Sequence, residues 1–332
     1  MNEVSFLKKN ADDWRRIESM LDARREFNPD ELSELYIRLT DDLAWAKTFY
    51  SRSKTTEYLN MLAARLHQYL YSNKKERRGR LKAFWLNEWP SLMYRHRRNM
   101  LYSLAVFSAF TAIGLLSSAN DRTFVRAVLG DSYVDMTLEN IKHHDPMAVY
   151  KRMNQVDMFL GISFNNIRVA FAAFACGLLL SFGTVYILLT NGVLLGAFHY
   201  FCYEHGVLWE ALRSIWIHGT LEISSIIVAG GAGLVMGNSI LFPGTYTRRA
   251  SFARGARDGM KIVVGLVPMF LCAGFLEGFV TRHNNMPLPV NIVIIGASLC
   301  GVVIYFILFP RSVALSQSAT RTESRTMEEA YG

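Results

Sequence analysis

The chain has 332 residues, of which 51% are apolar and only 19% charged. Its mean hydropathy is +0.14 and its formal net charge +8. Residues 1–98 hold 20 Lys/Arg and 14 Asp/Glu, whereas beyond Met100 apolar runs reach the ~20 residues with which a helix crosses a bilayer. An ordinary soluble enzyme, a disordered chain and a disulfide-stapled secreted domain are excluded. The expected class is an all-α polytopic membrane helix bundle with a polar N-terminal helical region.

The opening segment, MNEVSFLKKNADDW, has no apolar stretch behind its charges, so no signal peptide is expected. Asn28-Pro29-Asp30-Glu31 has the chemistry of a helix start, with an Asn cap, Pro at the first position and acids near the positive end of the dipole. Leu32, Leu35, Tyr36, Leu39, Leu43, Ala46 and Tyr50 then recur at spacings of three and four, forming one apolar stripe. A further helix is predicted over Glu57–Tyr71, with Leu59, Leu62, Leu66 and Leu70 on one side. In residues 83–98, Trp85, Trp89 and Tyr94 precede a basic end and suit an interfacial amphipathic helix turned by Pro90.

Six membrane segments follow, at about 100–118, 167–190, 191–206, 217–241, 258–280 and 288–309. The third is short, and Asn191-Gly192 suits a tight turn joining it to the second. Charge parity decides that it crosses. The basic N-terminal part belongs on the cytoplasmic side, and so does the loop 242–257 with Arg248, Arg249, Arg254 and Arg257. Only six crossings satisfy both. The expected organisation is a cytoplasmic helical region (1–82), the interfacial helix (83–98), a transmembrane domain (99–310) with an external loop at 119–166, and a disordered cytoplasmic tail (311–332). The chain would cross its membrane several times, with both termini in the cytoplasm. The basic run from Lys74 to Lys82 reads as a topology and lipid-headgroup signal, and no nucleic-acid partner is expected.

Cys176, Cys202, Cys272 and Cys300 all lie in apolar segments without a CxxC pair, as packing residues do. Gly192–Gly196, Gly233–Gly237 and Gly274–Gly278 are GxxxG pairs, the spacing that lets helix backbones approach closely in lipid. They are assigned to packing within the bundle, and the same faces would permit a homodimer.

Ionisable groups at membrane depth cost about 2.5–3.5 kcal/mol on insertion scales, so each requires a reason. His218 and Glu222 share one helix face, and Glu277 is expected at the same level from the next segment. With His199 and Asn191 they form the predicted intramembrane polar cluster. Asn165, Asn166, Glu204, His205 and Asn291 are placed at the outer face, with Glu204, His205 and Arg213 reaching water. No metal or other cofactor is expected, because spacing supplies no third ligand beside His218 and Glu222. No enzyme is expected either: HExxH, GxSxG, the P-loop and the dinucleotide fingerprint are absent.

The ordered series Asn165-Asn166, Gly183-Thr184, Asn191-Gly192-Val193-Leu194-Leu195-Gly196, His218-Gly219-Thr220-Leu221-Glu222 and Ala229-Gly230-Gly231-Ala232-Gly233 resembles the stage II sporulation protein M family over about residues 95–312. The resemblance implies a bacterial cytoplasmic-membrane protein. The family's namesake helps to assemble a complex with peptidoglycan-degrading partners, and relatives are often encoded near a MoxR-type AAA+ ATPase. The expected function is therefore a membrane scaffold organising envelope-remodelling enzymes. The alternative is an ion, proton or small-solute channel or transporter built on His218, Glu222 and Glu277. A dry, packed inner half of the bundle would favour the scaffold, and a continuous polar path would favour transport.

Overall fold

The computed structural model describes residues 2–22, 29–72, 79–143, 154–281 and 286–318. It is 91% helical and has no strand among the described residues. The chain divides into two compact units, Met1–Arg80 and Leu81–Gly332.

The first unit contains α1 (Glu3–Asp22), α2 (Pro29–Phe49) and α3 (Lys54–Ser72). α2 begins at the proline that the sequence marks as a helix start. Apolar residues at spacings of three and four meet in one core: Phe6, Trp14 and Ile17 of α1, Leu35, Leu39 and Ala46 of α2, and Leu59, Leu62 and Leu66 of α3. The side chains of Leu32 and Leu70 lie outside the described residues.

Trp14 donates its indole N–H to Asp42 Oδ2 at 2.8 Å, and Asn10 reaches the other oxygen at 3.4 Å. Burial pushes the Asp42 carboxyl above its ordinary 3.8, with Asp13 and Asp41 adding to the effect and the Trp14 hydrogen bond opposing it. A folded-state value above the unfolded one means that the native state holds the proton more tightly. Stability from this group is therefore present below about pH 4 and lost as pH rises through the folded value. Asp42→Asn keeps an acceptor for Trp14 and removes the buried charge. Hydrogen exchange over residues 3–72 should slow in this variant at pH 7 and match the parent near pH 3.

The second unit opens with α4 (Arg80–Ala83), a π turn (Phe84–Glu88) and α5 (Trp89–Arg95). Six helices long and apolar enough to cross a membrane follow. The first span is α6 (Arg97–Asn120). After it come two short helices, α7 (Arg122–Leu129) and α8 (Asp131–Lys142). The second span is α9 (Gln155–Ala175) with a 3₁₀ turn to Leu178, the third α10 (Phe182–Glu204) and the fourth α11 (Leu208–Leu241). The fifth span joins α12 (Arg248–Phe275) to a π turn (Leu276–Thr281). The sixth runs through Ser318 and comprises α13 (Leu288–Val303), a π turn (Ile304–Leu308) and a last helical stretch.

Close approaches give the directions. Gly192 and Gly196 face Phe107 and Thr111, so spans one and three run parallel. Gly230, Gly233 and Gly237 face Leu188, Thr184 and Ser181, so spans three and four run antiparallel. Gly255 and Gly259 face Val235 and Ala232, so spans four and five are antiparallel as well. Successive crossings alternate, and the sixth ends where the first begins.

The main core packs Trp89, Phe174, Ile226, Ala229, Ala232, Ile262, Leu266 and Phe270 together. A second cluster sits at the opposite end, where Val125 of α7 and Val134 of α8 cover Phe201, Cys202 and Ala211.

Several expectations are corrected. The chain reverses between spans two and three at 176–181, not at Asn191-Gly192. Leu180 and Ser181 adopt left-handed backbone there, at φ 53° and 71°, a conformation costing roughly 1–2 kcal/mol for a residue with a Cβ. Asn191 instead sits inside α10 and donates to the Ile187 carbonyl at 2.8 Å. The second span consequently starts at Gln155 rather than 167, and Asn165 and Asn166 lie about three turns inside it. The fourth span starts at Leu208 rather than 217, so Glu222 lies about four turns along it.

Trp89 is not an interfacial anchor. It is fully buried, stacks on Tyr305 at 4.4 Å and donates to the Ile262 carbonyl at 3.1 Å. Residues 311–318 are helical rather than disordered, and 319–332 lie outside the described residues. The π turns at Phe84–Glu88 and Ile304–Leu308 precede Pro90 and Pro310, where the ring would clash with the carbonyl four residues back in a regular helix.

Candidate functional site

α11 carries His218 and Glu222 one turn apart on one face. Opposite them the fifth span leaves α-helical geometry. Its π turn at Leu276–Thr281 presents both Glu277 and Thr281 to α11; such turns recur at functional sites. His218 Nε2 stands 3.8 Å from Glu277 Oε2, and His218 Nδ1 lies 3.1 Å from Thr281 Oγ1. The Thr281 hydroxyl donates to the Leu276 carbonyl at 3.2 Å. With its proton used there, it accepts from Nδ1–H, which assigns the tautomer and turns Nε2 toward the carboxylates.

One ligand-capable atom each from His218, Glu222 and Glu277 lies within 4.8 Å of the other two. His218 is 4% exposed and Glu277 9%. Glu222 is half-buried, and two carboxylates at such separation within a helix bundle repel unless a proton or cation lies between them.

The trio borders a cavity of about 440 Å³ that also meets Asn165 and Asn166 of α9 and Asn191 of α10. Asn166 is 4% exposed. Its Nδ2 approaches Glu222 but forms no hydrogen bond by distance and angle. Ile226 lines the cavity and belongs to the main apolar core, so it forms the floor. Below it the described residues form the packed layer of Phe174, Leu266, Phe270 and Trp89.

The structure therefore brings together His218, Glu222, Glu277 and Asn191 of the predicted cluster and adds Asn165 and Asn166, which had been assigned to the outer face. His199 stands apart. Its Nδ1 faces the Leu195 carbonyl at 2.8 Å and its Nε2 accepts from Trp216 at 3.2 Å, so both nitrogens serve packing.

The remaining outer residues also lie outside the cavity. Glu204 pairs with Arg122 at 3.1 Å, His205 Nδ1 faces the Phe201 carbonyl at 2.8 Å, and Arg213 donates to the Met286 carbonyl at 3.0 Å. Asn291 is buried at the start of α13, its Oδ1 without a partner among the described residues.

Two residues escaped the sequence reading. Thr281 carries no signal except its spacing of four from Glu277. Arg168 is exposed about halfway along the second span, and it went uncounted because that span was set twelve residues too late.

The glycine pairs have distinct neighbours. A Cβ on Gly196 would fall on the Thr111 carbonyl, and one on Gly274 would meet the Ser163 hydroxyl. A Cβ on Gly278 would sit 3.0 Å from the Gln155 carbonyl, and one on Gly237 would meet Ser181. These contacts lie between spans of one chain.

Fold and cavity together define an all-α polytopic membrane protein whose cavity gathers a His/Glu/Asn cluster next to an apolar core. The sequence model described as Stage II sporulation protein M matches residues 103–282, more than half of the chain, and the protein belongs to that family. The matched region contains every residue that lines the cavity. A second model, described as Domain of unknown function (DUF8413), matches residues 4–72, the three helices of the first unit. No curated protein and no solved structure matches the chain.

Proposed function

We propose that this protein is a non-enzymatic scaffold of the bacterial cytoplasmic membrane that holds envelope-remodelling enzymes in place. A MoxR-type ATPase is the second proposed partner. The observation that carries this reading is the blind end of the cavity. Ion or solute passage requires polar groups or water across the bundle, whereas the described residues beneath Ile226 are a packed apolar layer.

Family membership supports a membrane role, and the arrangement of charge supports the orientation. Arg95 precedes the first span, Arg97 and Arg98 open it, and Arg248, Arg249, Arg254 and Arg257 open the fifth at the same end of the bundle. By the positive-inside rule we read that end of the bundle as the cytoplasmic one. α7 and α8 then face outward. Their exposed charges are largely paired with each other, as in Arg126 with Asp131 at 3.1 Å and Asp135 at 2.8 Å, and their apolar faces lock onto the bundle. Such a cap suits a docking platform.

Crosslinking in cells followed by pull-down should recover a peptidoglycan-cleaving enzyme. Charge reversal at Glu139 and Lys142, both exposed on α8, should reduce recovery several-fold without loss of membrane insertion. In liposomes the purified protein should pass neither protons nor ions. A flux that Glu222→Gln alters would overturn the scaffold in favour of transport.

A further inference from the structure

We infer that His218, Glu222 and Glu277 form a binding site for one divalent first-row transition-metal ion. Four features of the structure converge on this. The donor set has the right chemistry: one imidazole nitrogen and two carboxylates, without a thiolate, match Zn²⁺, Mn²⁺ or Fe²⁺ better than the all-oxygen shell that Ca²⁺ takes. The spacing is also right. Ligands about 2.1 Å from a tetrahedral metal are about 3.4 Å apart, and the three groups already lie within 4.8 Å of one another, so small side-chain rotations close the shell.

The imidazole is held as metal-bound histidines are held. Nδ1–H donates to Thr281, which is itself tied to the Leu276 carbonyl, and this fixes the ring with Nε2 toward the acids. The π turn supplies this outer partner and the ligand Glu277 together.

Charge balance favours the cation as well. When both are ionised, Glu222 and Glu277 carry the −2 that a divalent ion neutralises, which removes their mutual repulsion and gives a neutral centre. The three protein ligands leave coordination positions facing the cavity, where Asn165, Asn166 and Asn191 offer amides to a metal-bound water or a small oxygen ligand. The Asn166 amide, 4% exposed, borders this space with its nitrogen against Glu222. Sequence spacing places no third ligand beside His218 and Glu222. The fold supplies it from another helix.

The site stands apart from the scaffold reading, since its test needs no partner. Purified full-length protein, stripped with a chelator and exchanged into detergent, is titrated with Co²⁺. One equivalent per chain should bind with the visible bands of a four- or five-coordinate ion, and Zn²⁺ should displace it. His218→Ala and Glu277→Gln should abolish the bands, and Glu204→Gln, which alters an acid outside the cavity, should leave them intact. Thr281→Val should weaken binding about 10–100-fold, the usual effect of losing an outer partner, and Thr281→Ser should restore it. Failure of the folded parent protein to bind an equivalent of Co²⁺ overturns the inference whatever the variants do. Binding unchanged in His218→Ala and Glu277→Gln overturns it equally.

Discussion

Trp89→Ala should lower the stability of the membrane unit by about 3–5 kcal/mol, the usual range for removing a large buried aromatic. Trp89 is fully buried, and its indole fills the groove left by Gly265, where any Cβ would overlap the ring. It stacks on Tyr305 with an interplanar angle of 17° and donates to the Ile262 carbonyl. The residue thereby ties the segment before the first span to spans five and six. In lipid no water drives apolar faces together, so shape-matched packing of this kind carries much of the association. Trp89→Phe keeps part of the stack and loses the hydrogen bond, so it should fall between the parent and the alanine variant. Thermal unfolding in detergent measures the series, with Trp209→Ala as the reference at a site 58% exposed. A Trp89→Ala shift no larger than that of Trp209→Ala would contradict the packing argument.

Trp89 also shows where sequence reasoning loses sight of the fold. Its neighbours Trp85 and Tyr94 and the basic run after them have the composition of an interfacial belt, and nothing local separates them from Trp89. Its burial depends on Gly265 and Tyr305, which are remote in sequence. Elsewhere the pattern was sufficient. The number of spans was legible because length and hydropathy are local, and the doubtful third segment was settled by Arg248, Arg249, Arg254 and Arg257. The break between spans two and three was misplaced because Asn191-Gly192 carries turn chemistry. In the structure that asparagine bonds back to Ile187, and the glycine admits the first span.

The site was legible in part for a similar reason. His218 and Glu222 announce themselves by helical spacing, and Glu277 by charge inside an apolar run. Their convergence follows from the packing of the fourth span against the fifth, which no residue type signals. His199 is indistinguishable from His218 on composition, and the Trp216 indole that occupies its Nε2 is a feature of the fold. Asn165 and Asn166 were moved to the surface by the error in span limits. Once α9 starts at Gln155, the two amides fall at cavity level.

Gly233→Leu should prevent the bundle from assembling in its native form. At Gly233 three spans meet: a Cβ there would fall on the Ala173 carbonyl of the second span and on Thr184 Oγ1 of the third. Those two atoms are themselves joined, since Thr184 donates to Ala173 at 2.7 Å. Moving either one to make room would break that buried bond. From the second span, Gly177 packs in turn against the Gly233 carbonyl, so the backbones are close from both sides. Overpacking ordinarily costs about 1–3 kcal/mol when neighbours can shift. Here the obstacle includes a main-chain carbonyl, so even Gly233→Ala should reach the upper part of that range, and leucine should exceed it. Gly301→Leu supplies the contrast, because a Cβ at Gly301 meets nothing within 4 Å, and its effect should stay within about 0.5 kcal/mol. Monodispersity and melting temperature in detergent report the outcome. Equal tolerance of leucine at both positions would mean that small residues at the crossing of spans two, three and four do not set the packing. The difference in their surroundings predicts the opposite, because one glycine is a contact between backbones and the other faces open space.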